Sequence, residues 1–184
     1  MTIKELEIAL KSPDHLKRTE ALREFRNGTF GPEALPLLRR LLSGGNGIQL
    51  ILHAIECIAK LGPEALTCPG GKALVDSGWG REPVNLEWQL YVLGGRIWGY
   101  SLYANCYSTC LDALMKLQAD QEGIIEYIHK HIGLSDDDFL DSLKALKAIG
   151  TPEALDLFKR AVAFWQPVLD KTHTKQLQKI VATK

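Results

Sequence analysis

The sequence lacks a net charge, a membrane-length apolar run and any abundance of cysteine. Lysine and arginine total 22, as do aspartate and glutamate, so the formal net charge is zero. A protein held on phosphates normally carries a basic excess, and the balance therefore argues against nucleic acid as a partner. The uncharged run at residues 97–111 is too short and too polar to span a bilayer. Charges within the first ten residues interrupt any export signal, so we expect a cytoplasmic protein that does not enter membranes.

Only four cysteines are present: Cys57, Cys68, Cys106 and Cys110. Their number would allow two disulfides, but a chain of this size with a sizeable apolar content and no export signal favours reduced thiols. Cys106 and Cys110 lie four residues apart on a predicted helix, where two ligands could grip a metal ion. A closed zinc site needs two further ligands, and no known ligand spacing supplies them. We therefore expect buried core thiols, with no metal and no other cofactor.

Catalytic motifs are also lacking. The glycine clusters at 44–47 and 94–95 have neither the lysine nor the Ser/Thr of a phosphate-binding loop, and no GxSxG elbow occurs. His129 and His131 end a predicted helix, where they suit the negative end of its dipole. Asp136, Asp137 and Asp138 open the next predicted helix, as first-turn acids often do. The sequence therefore predicts no catalytic residue.

A short motif recurs along the chain. Gly-Pro-Glu-Ala-Leu occupies 31–35 and 62–66, Thr-Pro-Glu-Ala-Leu occupies 151–155, and a degenerate copy occupies 120–124. The second residues of the four copies are separated by 31, 58 and 31 positions, which indicates a period near 30. Each copy follows an apolar segment with helical spacing, for example Leu143, Leu146 and Ile149.

The motif has a physical interpretation. Proline is favourable at the first helical position, where its missing N–H would be unpaired anyway. The preceding Gly or Thr can act as the N-cap, and the Glu that follows meets the positive end of the helix dipole. One helix therefore ends and another begins within a short turn, which predicts antiparallel helix pairs.

This pattern resembles the HEAT-like repeat family, in the short bacterial form also seen in bilin-lyase-type proteins. Residues 138–159 look most like a consensus unit, residues 12–42 are similar, and the likeness is weak across 67–110. The resemblance implies an all-α fold, a short α-solenoid of about four to six stacked antiparallel helix pairs wound as a right-handed superhelix.

Helices are predicted throughout, and no sheet is expected, because no segment alternates with period two. We expect one HEAT-like domain over 1–184, with an irregular insertion at about 67–83 that breaks at Cys68–Gly71 and a C-terminal capping helix at 173–182. The predicted helices are 2–11, 13–27, 32–43, 47–61, 84–97, 100–118, 121–132, 136–149, 152–165 and 173–182. Thr2 and Glu5 are predicted to form a capping box on the first of these helices, and Ser135 is predicted to cap the helix 136–149. The apolar side of the C-terminal capping helix is predicted to consist of Leu177, Ile180 and Val181.

The middle of the chain concentrates aromatic residues. Seven of the nine Trp and Tyr residues fall within 79–107, with arginines interleaved. Tyr100, Tyr103 and Tyr107 share a helix face with two leucines, which predicts core. Aromatics and arginine dominate binding hot spots, so the remaining residues are candidates for an exposed partner-binding site. The predicted partner-binding residues are Trp79, Arg81, Trp88, Tyr91, Arg96 and Trp98.

Three interpretations of function follow. The first is a non-catalytic interaction module, an adaptor or scaffold that binds another protein or peptide on a solenoid surface. The second, implied by the resemblance, is an enzyme or enzyme subunit of the bilin lyase or DNA glycosylase type, although a glycosylase would need a basic channel. The third is a specific inhibitor or immunity-type regulator of one protein. Neither the partner nor the oligomeric state can be deduced from the sequence.

Overall fold

A computed structural model of the chain describes residues 1–42, 46–76, 83–94, 104–132 and 136–183. Helices account for 76% of the structure, and the predicted all-α class is confirmed. No helix within these ranges is long and apolar enough to cross a bilayer. Contacts between residues divide the chain into two compact units, Met1–Ala119 and Asp120–Lys184. The expectation that residues 1–184 form one domain stays a prediction.

The first unit holds eight helices, a 3-10 turn and two very short strands in the part that the structure describes. They are α1 (Ile3–Ala9), α2 (His15–Asn27), the 3-10 turn Pro32–Ala34, α3 (Leu35–Leu41), α4 (Ile48–Lys60), α5 (Glu64–Thr67), α6 (Pro69–Lys72), β1 (Val75–Asp76), β2 (Pro83–Val84), α7 (Leu86–Gly94) and α8 (Ala104–Lys116). The second unit holds α9 (Gln121–His131), α10 (Asp136–Ile149), α11 (Pro152–Trp165) and α12 (Lys171–Ala182).

Side-chain caps explain where several helices begin. The capping box predicted at Thr2 and Glu5 is confirmed, because Thr2 Oγ1 accepts from the Glu5 N–H at 3.2 Å and Glu5 Oε2 accepts from the Thr2 N–H at 2.7 Å. Asp170 accepts from the Thr172 N–H at 2.7 Å, so α12 begins at Lys171 rather than at the predicted 173. The predicted cap at Ser135 lies outside the described residues.

The recurring motif does form turns between helices, with one difference from the prediction. Gly31 precedes its helix as an extended N-cap, and Thr151 Oγ1 accepts from the Ala154 N–H at 3.3 Å, as expected. Gly62 has a φ of +68° and ends α4 in the left-handed conformation instead of capping the next helix. Gly150 ends α10 in the same way, with a φ of +70°. The glycine is therefore needed to stop a helix, since other residues are strained at positive φ.

The core of the first unit centres on α4, which packs against α2, α3 and α8. Its inward residues, including Ile51, Ile55 and Ile58, are almost completely buried. On α8, Tyr107 is fully buried beside Leu111 and Leu114, which confirms the described part of the predicted aromatic stripe. Tyr100 and Tyr103 lie outside the described residues.

The core of the second unit is formed by α10, α11 and α12. Phe139, Leu140 and Leu143 of α10 pack with Ala161 of α11 and Leu177 of α12. Ile180 is partly buried against this cluster, whereas Val181, which was predicted on the same apolar side, is 49% exposed. The capping helix therefore contributes a narrower apolar stripe than its sequence suggested.

The segment after α5 corrects two predictions. The helix does break at Cys68, whose backbone is extended, but Pro69–Lys72 then forms a further helical turn. Beyond it, β1 and β2 pair antiparallel, with Val75 opposite Val84, so the expectation of no sheet is wrong in this small region. A Cβ on Gly71 would lie 1.8 Å from the Ala65 carbonyl oxygen, and only glycine therefore fits this close approach of α6 to α5.

Candidate functional site

Two of the six predicted partner-binding residues can be located. Trp79, Arg81, Arg96 and Trp98 lie outside the described residues. Trp88 and Tyr91 lie on α7, with ring centroids 6.0 Å apart in an edge-on arrangement. The Trp88 side chain is 60% exposed, whereas Tyr91 is half-buried. Trp88 is therefore a surface residue, and its predicted role in partner binding stays a prediction.

The opposite face of α7 is firmly anchored. Leu86, Leu90 and Leu93 are buried, and the helix packs against α6 and α8. Asn85 Oδ1 accepts from the Trp88 N–H at 2.9 Å and satisfies a donor in the first turn. Trp88 therefore projects from a helix that is packed on its other face and hydrogen-bonded in its first turn.

Arg39 on α3 was not singled out from the sequence, yet it organises this region. Its side chain is only 2% exposed, and its guanidinium donates to atoms that lie 31 to 50 residues further along the chain. The acceptors are Gln89 Oε1 at 2.9 Å and the carbonyl oxygens of Gly70 (2.5 Å), Gly71 (3.4 Å), Ala73 (2.8 Å) and Val84 (2.9 Å).

The buried Arg39 cation is stabilised by uncharged hydrogen-bond acceptors. Burial lowers the pKa of the Arg39 guanidinium, although arginine stays protonated throughout the accessible pH range. The cation is stabilised by backbone dipoles and by Gln89, whose Nε2 returns a hydrogen bond to the Arg39 carbonyl at 3.2 Å. One side chain thus joins α3, α6, β2 and α7, and it holds in place the helix that carries Trp88.

A signal for Arg39 did exist in the sequence. Leu35 precedes it by four residues and Leu42 follows by three, so helical spacing places the arginine on the apolar face of α3. Its neighbour Arg40 points outward, with a side chain 67% exposed. Periodicity could therefore have marked Arg39 as buried, but it could not have named the acceptors.

A groove lies between α9 and α11 in the second unit. Its volume is about 620 Å³, and it is open to solvent along these two helices. The residues that line it are Gln121, Glu122, Ile125, Glu126, His129, Thr151, Glu153, Asp156, Leu157 and Arg160. Buried Leu157 and half-buried Ile125 form an apolar floor, while four carboxylates and one guanidinium surround it.

No family model, no characterised protein and no solved structure matches the chain. The candidate surfaces are therefore interpreted from their own geometry and charge.

A third polar cluster joins α2 to α4. Arg26 donates to Glu56, and His53 Nδ1 lies 2.9 Å from the same carboxylate. Burial alone would raise the pKa of Glu56, but the hydrogen bonds from His53 and Arg26 outweigh it, and the pKa is lowered. The carboxylate is 42% exposed, so the cluster is an ion-pair network on the surface of packed helices.

Three of the four thiols, those of Cys57, Cys106 and Cys110, are buried and poorly suited to nucleophilic or metal chemistry. All four cysteines are free. Burial raises the pKa of Cys57 to about 12 and that of Cys106 to about 11, and it raises the pKa of Cys110 as well. Because the thiolate is the nucleophile and metal ligand, these buried thiols are inert at neutral pH. Among the described residues, no three His, Cys, Asp or Glu side chains converge as metal ligands.

Proposed function

We propose that the chain is a non-catalytic interaction module, a HEAT-like α-solenoid that binds another protein or peptide. Packing within each unit supports the solenoid. In the first unit α2, α4 and α8 pack in succession, as do α3, α6 and α7, and the two rows meet where α3 packs on α4 and α7 on α8. In the second unit α10 packs on α11 and α12, and α9 packs on α11. Two rows of successive helices are what stacked helix pairs produce.

Trp88 is the observation that carries the binding proposal. A tryptophan that is 60% exposed leaves a large apolar surface in water. Its helix is held by buried leucines and by the Arg39–Gln89 hydrogen bonds, so the ring is presented in a fixed position at little further entropic cost. Rigid aromatic side chains of this kind dominate the energetics of protein interfaces. The proposed partner surface therefore centres on Trp88 and the edge of Tyr91.

Trp88→Ala is the direct test. We expect the variant to keep the helicity and the unfolding midpoint of the parent chain, because most of the ring lies in solvent. Phe164→Ala is the matched control, since Phe164 is 73% exposed and also makes an edge-on contact, with Trp165 at 5.8 Å. Each protein is immobilised and exposed to extract of the native host, and the retained proteins are quantified by mass spectrometry.

A partner retained by the parent and by Phe164→Ala, but reduced about tenfold with Trp88→Ala, is then purified and its affinity measured. Equal affinity of that purified partner for the parent and Trp88→Ala would contradict the proposal. So would a loss of stability in Trp88→Ala as large as that of a core truncation, because it would make Trp88 a packing residue.

A further inference from the structure

The groove between α9 and α11 combines an apolar floor with an excess of carboxylates. Ile125 is half-buried, so a ligand that covers it removes apolar surface from water, whereas Leu157 is 6% exposed and adds little to that surface. Glu122, Glu126, Glu153 and Asp156 line the same groove, against Arg160 as the one arginine or lysine in the lining. A protein without net charge has therefore concentrated negative charge at this concave site.

The carboxylates are not equivalent. Glu126 pairs with Lys130 and Asp156 pairs with Arg160, each one turn along its own helix. No ion pair joins Glu122 or Glu153 to another described residue. These two acids stand in the first turns of α9 and α11, and their helix dipoles compensate only part of the charge.

We propose that this groove binds a peptide segment of another protein that carries lysine or arginine beside one apolar residue. The apolar residue covers Ile125 and Leu157, and the cationic side chains pair with Glu122 and Glu153. An acidic groove with an apolar floor matches an amphipathic basic helix in charge and in apolar character. The proposal does not depend on the Trp88 surface, which lies in the other unit and presents aromatic rather than charged groups.

The test uses the full chain and a fluorescent synthetic helix of leucine and lysine, with a leucine and glutamate helix as the charge-reversed probe. Glu122→Gln/Glu153→Gln removes both charges and keeps the side-chain shapes. Glu20→Gln/Glu24→Gln is the matched control, because it removes the same charge from two exposed positions on α2. We expect binding of the basic helix to weaken about tenfold in the groove variant and to be unchanged in the control and in Trp88→Ala.

Two further measurements locate the site and identify the occupant. Amide chemical shifts of the parent chain should move on titration along 121–129 and 151–160. Ile125→Lys, which adds a cation to the floor, should also weaken binding while helicity is retained. Spermidine carries charge without an apolar face, and we expect it to compete poorly.

Several outcomes would overturn the proposal. They are equal affinity of the parent and Glu122→Gln/Glu153→Gln, equal binding of the basic and acidic helices, shift changes confined to other helices, and spermidine competing as well as the peptide. The last result would assign the groove to small polycations. None of these outcomes affects the Trp88 proposal, which is tested by the loss of a partner in Trp88→Ala.

Discussion

The segment from α5 to α7 and the helix pair α10–α11 are held together in different ways. The α10–α11 pair is joined by a tight turn, with Gly150 and Thr151 between the helices and Phe139, Leu143 and Ala161 packed in the core. The α5–α7 segment consists of short helical turns and a two-residue strand pair whose carbonyl groups converge on the buried Arg39. Regular pairs thus depend on apolar burial, whereas the irregular segment depends on one cation. This difference can be tested by removing each element of support in turn.

The largest loss of stability is expected for Arg39→Met. Methionine fills similar space but leaves the buried acceptors of Gly71 and Gln89, and three part-buried carbonyl oxygens, without their donor. An unsatisfied buried acceptor costs about 1–3 kcal/mol, and water that reaches some of these acceptors offsets part of this cost. We therefore expect the free energy of unfolding to fall by roughly 4 kcal/mol. Urea unfolding measures the free energy. Arg40→Met on the exposed neighbouring position is the control, and a difference from it of less than about 0.5 kcal/mol would contradict the role of Arg39.

Leu146→Ala should have a comparable or somewhat smaller effect on the regular pair. Leu146 is fully buried on α10, and its truncation leaves a cavity that typically costs about 2–5 kcal/mol. The same urea experiment applies, with Ala148→Gly as a control for a small change at an exposed position of the helix. If Leu146→Ala cost no more than this control, the second unit would not depend on a close-packed core.

The smallest effect is expected at Glu56, whose side chain accepts from Arg26 and His53 and is 42% exposed. Because the folded-state pKa of Glu56 is lowered, its contribution is present above the unfolded pKa of about 4.3 and is lost as the pH falls through the folded value. Solvent screening limits it to roughly 0.5 kcal/mol at neutral pH. The parent and Glu56→Gln should therefore differ slightly at pH 7 and converge in acid. A difference in the free energy of unfolding between the two proteins that increased in acid would contradict the lowered pKa of Glu56.

The same contrast explains how much of the fold could be predicted from the sequence. Local signals predicted the capping box at Thr2, the turn at Thr151 and the buried positions Leu143 and Leu146, because caps and apolar spacing act over one or two turns. The segment after Cys68 could not be predicted, since its helical turn and strand pair are stabilised by a residue 31 to 45 positions earlier. Trp88 was named as a candidate binding residue only because aromatic residues are concentrated in that part of the sequence. The α9–α11 groove was missed because helical spacing does not reveal which faces of two helices adjoin.

Arg39 also has a consequence for how binding and stability are related. Its planar fork reaches α6, β2 and α7 at once, and the three donors of a lysine could not reproduce those directions. We therefore expect the segment to gain or lose its order as a cooperative unit, so that a ligand that recognises only the ordered form around Trp88 shifts the equilibrium toward it by mass action. Saturation by such a ligand would slow amide hydrogen exchange at residues 69–76, far along the chain from the aromatic ring itself.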